Sequence, residues 1–238
     1  MIRLNTFSIA ARCERTGQLG VAVSTRVPAV GMLCPFVASH VGAIATQSFV
    51  NPYLGIRGLQ FLEKGHSAVE TLDYLHTLDA GMAWRQIGIV DAKGGSISFS
   101  GDSCDGWYGH RTGADYAIQG NMLVGEDTLR AMEDSFLSTF EASLAERLLY
   151  ALQAGQDAGG DKRGRQSAAV KVYQDEEYPL LDLRVDEHAD PVPELRRVYE
   201  VAKQTLLPLI SMLPTKTHPS GLFDVEESRK RGLLQDEK

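Results

Sequence analysis

Residues 158–172, AGGDKRGRQSAAVKV, gather more reactive side-chain types than any other stretch of this chain. Within ten residues stand Gly159, Gly160 and Gly164, the acid Asp161, the bases Lys162, Arg163 and Arg165, the amide of Gln166 and the hydroxyl of Ser167. Glycines let a ligand or a second strand approach the main chain, and a helix-to-strand connection needs fewer polar groups than this. The stretch therefore suits a loop that receives an anion or another polar group. The plain reading is a solvated loop in which Gly159 caps a helix. A second collection is Cys104 and His110, on a glycine-containing segment beside Trp107. A thiolate–imidazolium pair would be a nucleophile with its base; a small buried side chain and a structural histidine is the plain reading. His40, His66, His76, His110, His188 and His218 show no H-x-x-x-H or H-E-x-x-H pairing, so no metal is expected. His188 has acidic neighbours in DEHAD, but there carboxylates favour the start of a helix. No cofactor motif of the Gly-x-Gly-x-x-Gly or Walker type follows a strand, so no cofactor is expected.

The elements that must position these residues are legible as hydrophobic patterns. Stretches 6–12 and 19–25 are β-prone runs around a Gly17 turn, a hairpin. A second strand pair is expected at 35–39 and 41–48. Helices are expected at 53–64 and from Ser67, where Glu70 stands at capping-box spacing. Strands at 85–92 and 96–100 flank Lys93-Gly94-Gly95, and 101–113 is read as a loop. A strand at 116–121, helices at 126–140 and 142–154, strands at 167–173 and 180–185, and a helix at 191–207 complete the order. Short turns between strands mean antiparallel sheets, and helices that arrive in pairs cover the outer faces. The expected fold is α+β, a four-layer αββα sandwich. The expected domain spans residues 1–210, with a charged tail at 211–238.

The chain has 238 residues, a net charge of −7 and 43% hydrophobic content. That supports one sizeable core. The acidic balance argues against nucleic acid or an anionic membrane as partner. Three cysteines without C-x-x-C spacing fit a reducing compartment. No signal peptide and no long apolar run is evident, so a cytoplasmic protein is expected.

The segments TFSIAARCERTGQLGVAVST, GAIATQS with Asn51-Pro52, and AGGDKRGRQSAA together resemble the DUF1028 family, over about residues 5–205. That family is similar in fold to the N-terminal-nucleophile (Ntn) hydrolases. The resemblance implies hydrolysis of a C–N amide bond in a small molecule or short peptide, with Thr6 as nucleophile and its own α-amine as base. Asp161 and Ser167 look like the polar groups beside that amine. Arg163, Arg165 and Gln166 would hold a substrate carboxylate or carbonyl, and Gln47 and Asn51 would donate to an oxyanion or to substrate. A homo-oligomer, by default a dimer, is expected. In this chain Met1, Ile2, Arg3, Leu4 and Asn5 precede Thr6, whose nitrogen is then a peptide amide unless the chain is cut. The alternative is a non-catalytic binding or assembly module with the 158–167 loop as an anion site, and a third reading places the nucleophile at Cys104.

Overall fold

The alternation in TFSIAAR puts Thr6, Ser8 and Ala10 on one face of a strand and Phe7, Ile9 and Ala11 on the other. All six are buried, so this strand lies inside the molecule with both faces covered. It is β2 (Thr6–Arg12) in the computed structural model, which describes residues 3–4 and 6–221. A short β1 (Arg3–Leu4) precedes it. β2 pairs antiparallel with β3 (Leu19–Thr25) and with β9 (Tyr116–Leu123). β10 (Ser167–Tyr173), β11 (Leu181–Val185) and β8 (Trp107–Gly113) complete a six-stranded sheet in the order β11-β10-β3-β2-β9-β8. The second sheet is built on β5 (Gly42–Phe49), which pairs with β1, β4 (Pro35–Ala38) and β6 (Arg85–Asp91). β7 (Ser96–Ser100) closes it, and every pairing in both sheets is antiparallel.

The two sheets face one another over a small-residue core in which Val21, Val23 and Ala169 meet Val37, Ala43 and Ala45. Outside the second sheet lie α1 (Pro52–Leu62) and α2 (Ala68–Leu78), joined to it through Leu54, Leu72, Leu75, Ile44 and Ile87. Outside the first lie α3 (Asp127–Ser138) and α4 (Leu144–Asp157). Close approach there needs glycine: a Cβ on Gly20 of β3 would stand 2.9 Å from the Leu148 side chain of α4. The four layers are those the helix pairs and hairpins predict, α–β–β–α with two antiparallel sheets. The expected capping box of Ser67 with Glu70 forms, and the structure shows a second, Ser143 with Glu146, each worth about 1 kcal/mol to its helix start.

One stretch departs from the sequence reading. Residues 107–113 form a strand, β8, where the 101–113 pattern reads as a loop. β8 is an edge strand, paired only with β9 and shifted in register between Trp107 and Gly109. An edge strand buries little of either face, so it carries no hydrophobic alternation to detect.

α5 (Pro191–Ile210) is the last helix, and the chain divides within it into two compact units, the first ending at Leu195 and the second beginning at Arg196. Of the tail expected at 211–238, residues 222–238 lie outside the described residues. Among the described residues no helix is long and apolar enough to cross a membrane.

Candidate functional site

Four strand ends of the first sheet meet at one end of the sandwich. β2 begins there at Thr6, β3 ends at Thr25, β9 ends at Leu123 and β10 begins at Ser167. Thr6 lies opposite Thr25, and Thr25 opposite Ser167, so three hydroxyls form one row across adjacent strands on the inner face. Thr6 Oγ1 donates to Thr25 Oγ1 at 3.1 Å. Ser167 Oγ donates to the Val27 carbonyl at 2.5 Å and accepts from the Val30 N–H at 3.2 Å, which ties down the turn after β3. All three residues are fully buried.

The 158–166 loop runs along the same end. Its main chain is stitched to the end of β9: Val124 N–H donates to Gly160 O, Lys162 N–H to Met122 O, and Leu123 bridges Asp161. Gly159, Gly160 and Gly164 have φ of 114°, 59° and 107°, which only glycine adopts without strain. The loop is thus a folded structure, and most of its charges are partnered. The buried Asp161 carboxylate accepts from Arg163 Nε at 3.1 Å, Nη2 at 2.6 Å and the Arg163 N–H at 2.9 Å. Arg165 Nε lies 3.1 Å from Asp190 Oδ1 in an exposed pair. Gln166 Oε1 accepts from Arg26 Nη1 at 3.0 Å.

Facing Thr6 from the second sheet is Gln47. Its Nε2 donates to the Thr6 carbonyl at 3.2 Å and to Gln86 Oε1 at 2.8 Å, and its Oε1 accepts from Ser8 Oγ at 2.7 Å. Gln119 Nε2 donates to Ser8 Oγ at 2.6 Å, and Asn121 Nδ2 to Gln86 Oε1 at 2.9 Å. Gln86 Nε2 continues to Ser100 Oγ at 2.8 Å, which lies 3.0 Å from His110 Nδ1. Four buried amides thus replace apolar packing between the sheets at this end. In a low-dielectric interior such a network is rigid only because its members are paired. Gln86, Gln119, Asn121 and Thr25 are not among the residues the sequence singles out. Their signal was available: a glutamine at an inward position of an otherwise apolar strand must be satisfied by a partner.

Asn51 serves elsewhere. Its Oδ1 accepts from Tyr53 N–H at 3.1 Å as the N-cap of α1, and its Nδ2 donates to Asp79 Oδ2 at 2.7 Å. Cys104 and His110 do not form the pair weighed above. Cys104 Sγ donates to the Arg85 carbonyl at 3.5 Å, His110 stands on β8 beside Ser100, and burial pushes the Cys104 thiol pKa up. Two non-glycine residues at this end hold left-handed backbone, Ser48 in β5 (φ 68°) and Met122 in β9 (φ 55°). Such strain costs about 1–3 kcal/mol each and clusters at functional sites.

Access to Thr6 is closed. β1 lies on the second sheet, with Arg3 opposite Phe49 and Leu4 opposite Ser48, while Thr6 lies on the first. Leu4 and Thr6 thus pair in different sheets. Thr6 lines none of three surface cavities formed by the described residues, of about 330, 290 and 130 Å³. Among the described residues no cluster of His, Cys, Asp and Glu is arranged to hold a metal ion.

Comparison with known proteins places this geometry. The model of a family of unknown function, DUF1028, matches residues 6–195. The chain is similar to the crystal structure of protein SPO2555 from Silicibacter pomeroyi, itself matched by the DUF1028 model, with a TM-score of 0.84 and 29% identity over 93% of this chain and 100% of that one. Anbu (ancestral beta-subunit) from Yersinia bercovieri matches with a TM-score of 0.38 and 13% identity, over 88% of this chain and 98% of that one. No curated protein matches.

Proposed function

The chain belongs to the DUF1028 family, and we propose that it hydrolyses a C–N amide bond in a small molecule or short peptide, with Thr6 as an N-terminal nucleophile released by a cut after Asn5. The observation that carries this reading is the position of Thr6. It opens an interior strand, in a row with the Thr25 and Ser167 hydroxyls, and Arg3 and Leu4 before it pair with the opposite sheet. As long as those residues are attached, the nitrogen of Thr6 is a peptide amide and cannot accept a proton. A cut converts it to an α-amine with an ordinary pKa of about 7.7–8.0. That amine takes the proton from Oγ1 as Oγ1 attacks the substrate carbonyl carbon, then returns it to the leaving nitrogen. Water hydrolyses the resulting ester by the reverse sequence of proton transfers. Asp161 and Ser167 set the polarity around the amine. Arg165 is the anchor for an acidic substrate group, because its exposed pair with Asp190 is worth at most about 1 kcal/mol and is easily exchanged. Arg163 is held three times by Asp161 and serves to orient that carboxylate.

The test is intact mass of freshly purified protein, before and after incubation with a β-lactone acylating probe. The expected result is a chain beginning at Thr6 that gains one probe mass, and no gain in Thr6→Ala. A chain from Met1 that stays unlabelled, and that remains unlabelled after residues 1–5 are removed, overturns it. A second reading is favoured by the full burial of Thr6: a non-catalytic binding or assembly module. Ligand-dependent thermal stabilisation without turnover in the cut chain would select it.

A further inference from the structure

Among the described residues Arg147 is the one lysine or arginine that is buried, at 5% exposed. It stands near the start of α4 with its guanidinium 3.9 Å from the centre of the Phe136 ring and 5.5 Å from that of Phe140. Nε and Nη2 donate to the Phe136 carbonyl in the last turn of α3, at 3.4 and 3.2 Å. Aromatic faces and a helix C-terminus both favour a cation. They do not neutralise it, and a guanidinium stays charged when buried. Among the described residues no carboxylate pairs with it. Asp115 is engaged with Arg12 Nη1 at 2.8 Å, and Glu141 with Arg15 Nη1 at 3.5 Å. Phe136 accepts two of the five N–H groups of Arg147, so three have no acceptor among the described residues.

A second observation points to the same place. The Nε–H of Arg12 is buried and has no hydrogen-bond partner. Arg12 and Arg147 line one cavity of about 130 Å³, whose walls include Phe136, Leu137 and Phe140. A buried donor without an acceptor costs about 1–3 kcal/mol. Arg12 Nε carries that cost, and Arg147, whose Nη1 makes no hydrogen bond among the described residues, lines the same cavity.

We propose that this cavity binds a small organic carboxylate, with its oxygens on Arg12 and Arg147 and its apolar body against Phe136, Leu137 and Phe140. The charge count selects a monoanion. Arg147 has no direct carboxylate partner, but Asp115 and the exposed Glu14 balance the two arginines of the lining and would repel a phosphate, which carries about two charges at neutral pH. The walls select an apolar body, and cavities of about 150 Å³ accept a benzene ring. The site is at the far end of β2 from Thr6, about 20 Å away at 3.3 Å per residue. It stands whether or not Thr6 is a nucleophile.

The test is calorimetric titration of the full chain with sodium benzoate, with sodium phosphate at matched ionic strength as the comparison. Saturable binding of one benzoate per chain is expected, with phosphate bound at least about tenfold more weakly. Arg12→Gln removes one donor set, and Leu137→Trp fills the mouth from an exposed position of α3 that the core does not need. Each is expected to weaken benzoate about tenfold or more. Arg147→Gln removes the α3 contact as well, so the other two variants carry the test. No saturable benzoate binding, equal binding of phosphate, or unchanged affinity in both Arg12→Gln and Leu137→Trp would overturn the proposal.

Discussion

Gly88 of β6 is the point where the second sheet makes room for the buried amides. A Cβ built there would lie 1.9 Å from Gln119 Oε1 and 2.6 Å from its amide carbon, inside any contact distance. Gln119 has nowhere to retreat, because it is fully buried and its amide is held by Ser8 Oγ at 2.6 Å and Ser98 Oγ at 3.1 Å. Gly88→Ala must therefore expel the amide from its place. Overpacking costs roughly 1–3 kcal/mol, and the Ser98 hydroxyl left without its acceptor about 1–3 kcal/mol more, while Ser8 Oγ keeps its bond to Gln47 Oε1. Against this, the lost freedom of glycine in the unfolded chain returns about 0.5–1 kcal/mol. The expected net loss is about 3–4 kcal/mol, or a fall in Tm of about 10 °C for a domain of this size. Urea denaturation followed by circular dichroism measures it. Gln119→Ala alone is expected to cost about 3 kcal/mol through the cavity and the same unpaired Ser98 hydroxyl. In the double variant the new methyl meets open space, so the total stays near 3 kcal/mol instead of doubling. A single Gly88→Ala within about 0.5 kcal/mol of wild type, or an additive double variant, would refute the reasoning.

Two further outcomes are expected. Asp79 accepts from Arg85 Nε at 2.8 Å, Asn51 Nδ2 at 2.7 Å and Gly81 N–H at 2.8 Å. Burial raises its pKa, but these three donors outweigh burial and hold it below the ordinary carboxylate value. The stabilisation is then present above the unfolded pKa of about 3.9 and lost as pH falls through the lower folded value. Asp79→Asn is expected to cost about 2–3 kcal/mol at neutral pH, and denaturation at descending pH should show the gap to wild type closing; a constant gap would contradict it. Burial pushes the Cys34 thiol up to about 12 and raises that of Cys104. Both should stay unlabelled by iodoacetamide in the folded chain and react once it is unfolded in urea. Peptide mapping reads this out, and labelling of Cys104 in the folded chain would restore it as a nucleophile.

The layers were legible in the sequence because buried antiparallel strands and amphipathic helices leave periodic traces. TFSIAAR, LGVAVST and SAAVKVY become strands with the expected bounds, and Ser67 begins a helix because Glu70 stands three residues on. β8 left no trace, since an edge strand with Gly109 and Gly113 need not alternate. The candidate site was legible in part. Thr6, Gln47, Asp161 and Ser167 come to one end of the sandwich because their strands and loop end there. What each side chain touches was not legible, because hydrogen-bond partners are fixed by sheet register and by loop geometry. Asn51 caps α1, as Asn followed by Pro at a helix start does, and that signal competed with its reading as a donor to substrate. Arg147 was read only as part of a helix, since a buried cation cannot be told from a surface one by spacing alone.

The pairing of β1 has a consequence for kinetics. It consists of two residue pairs, Arg3 with Phe49 and Leu4 with Ser48, whereas β2 and β3 share seven. Local opening spans free energies from near zero to the full unfolding value, and so short a ladder stands at the low end while β2 stands at the high end. Amide hydrogen exchange should separate the two, with fast exchange at residues 48–49 and slow exchange along β2 and β3. The pairing of β1 is therefore set locally, so its opening rate can be tuned by substitutions in residues 3–4 without loosening the pairing of β2 with β3.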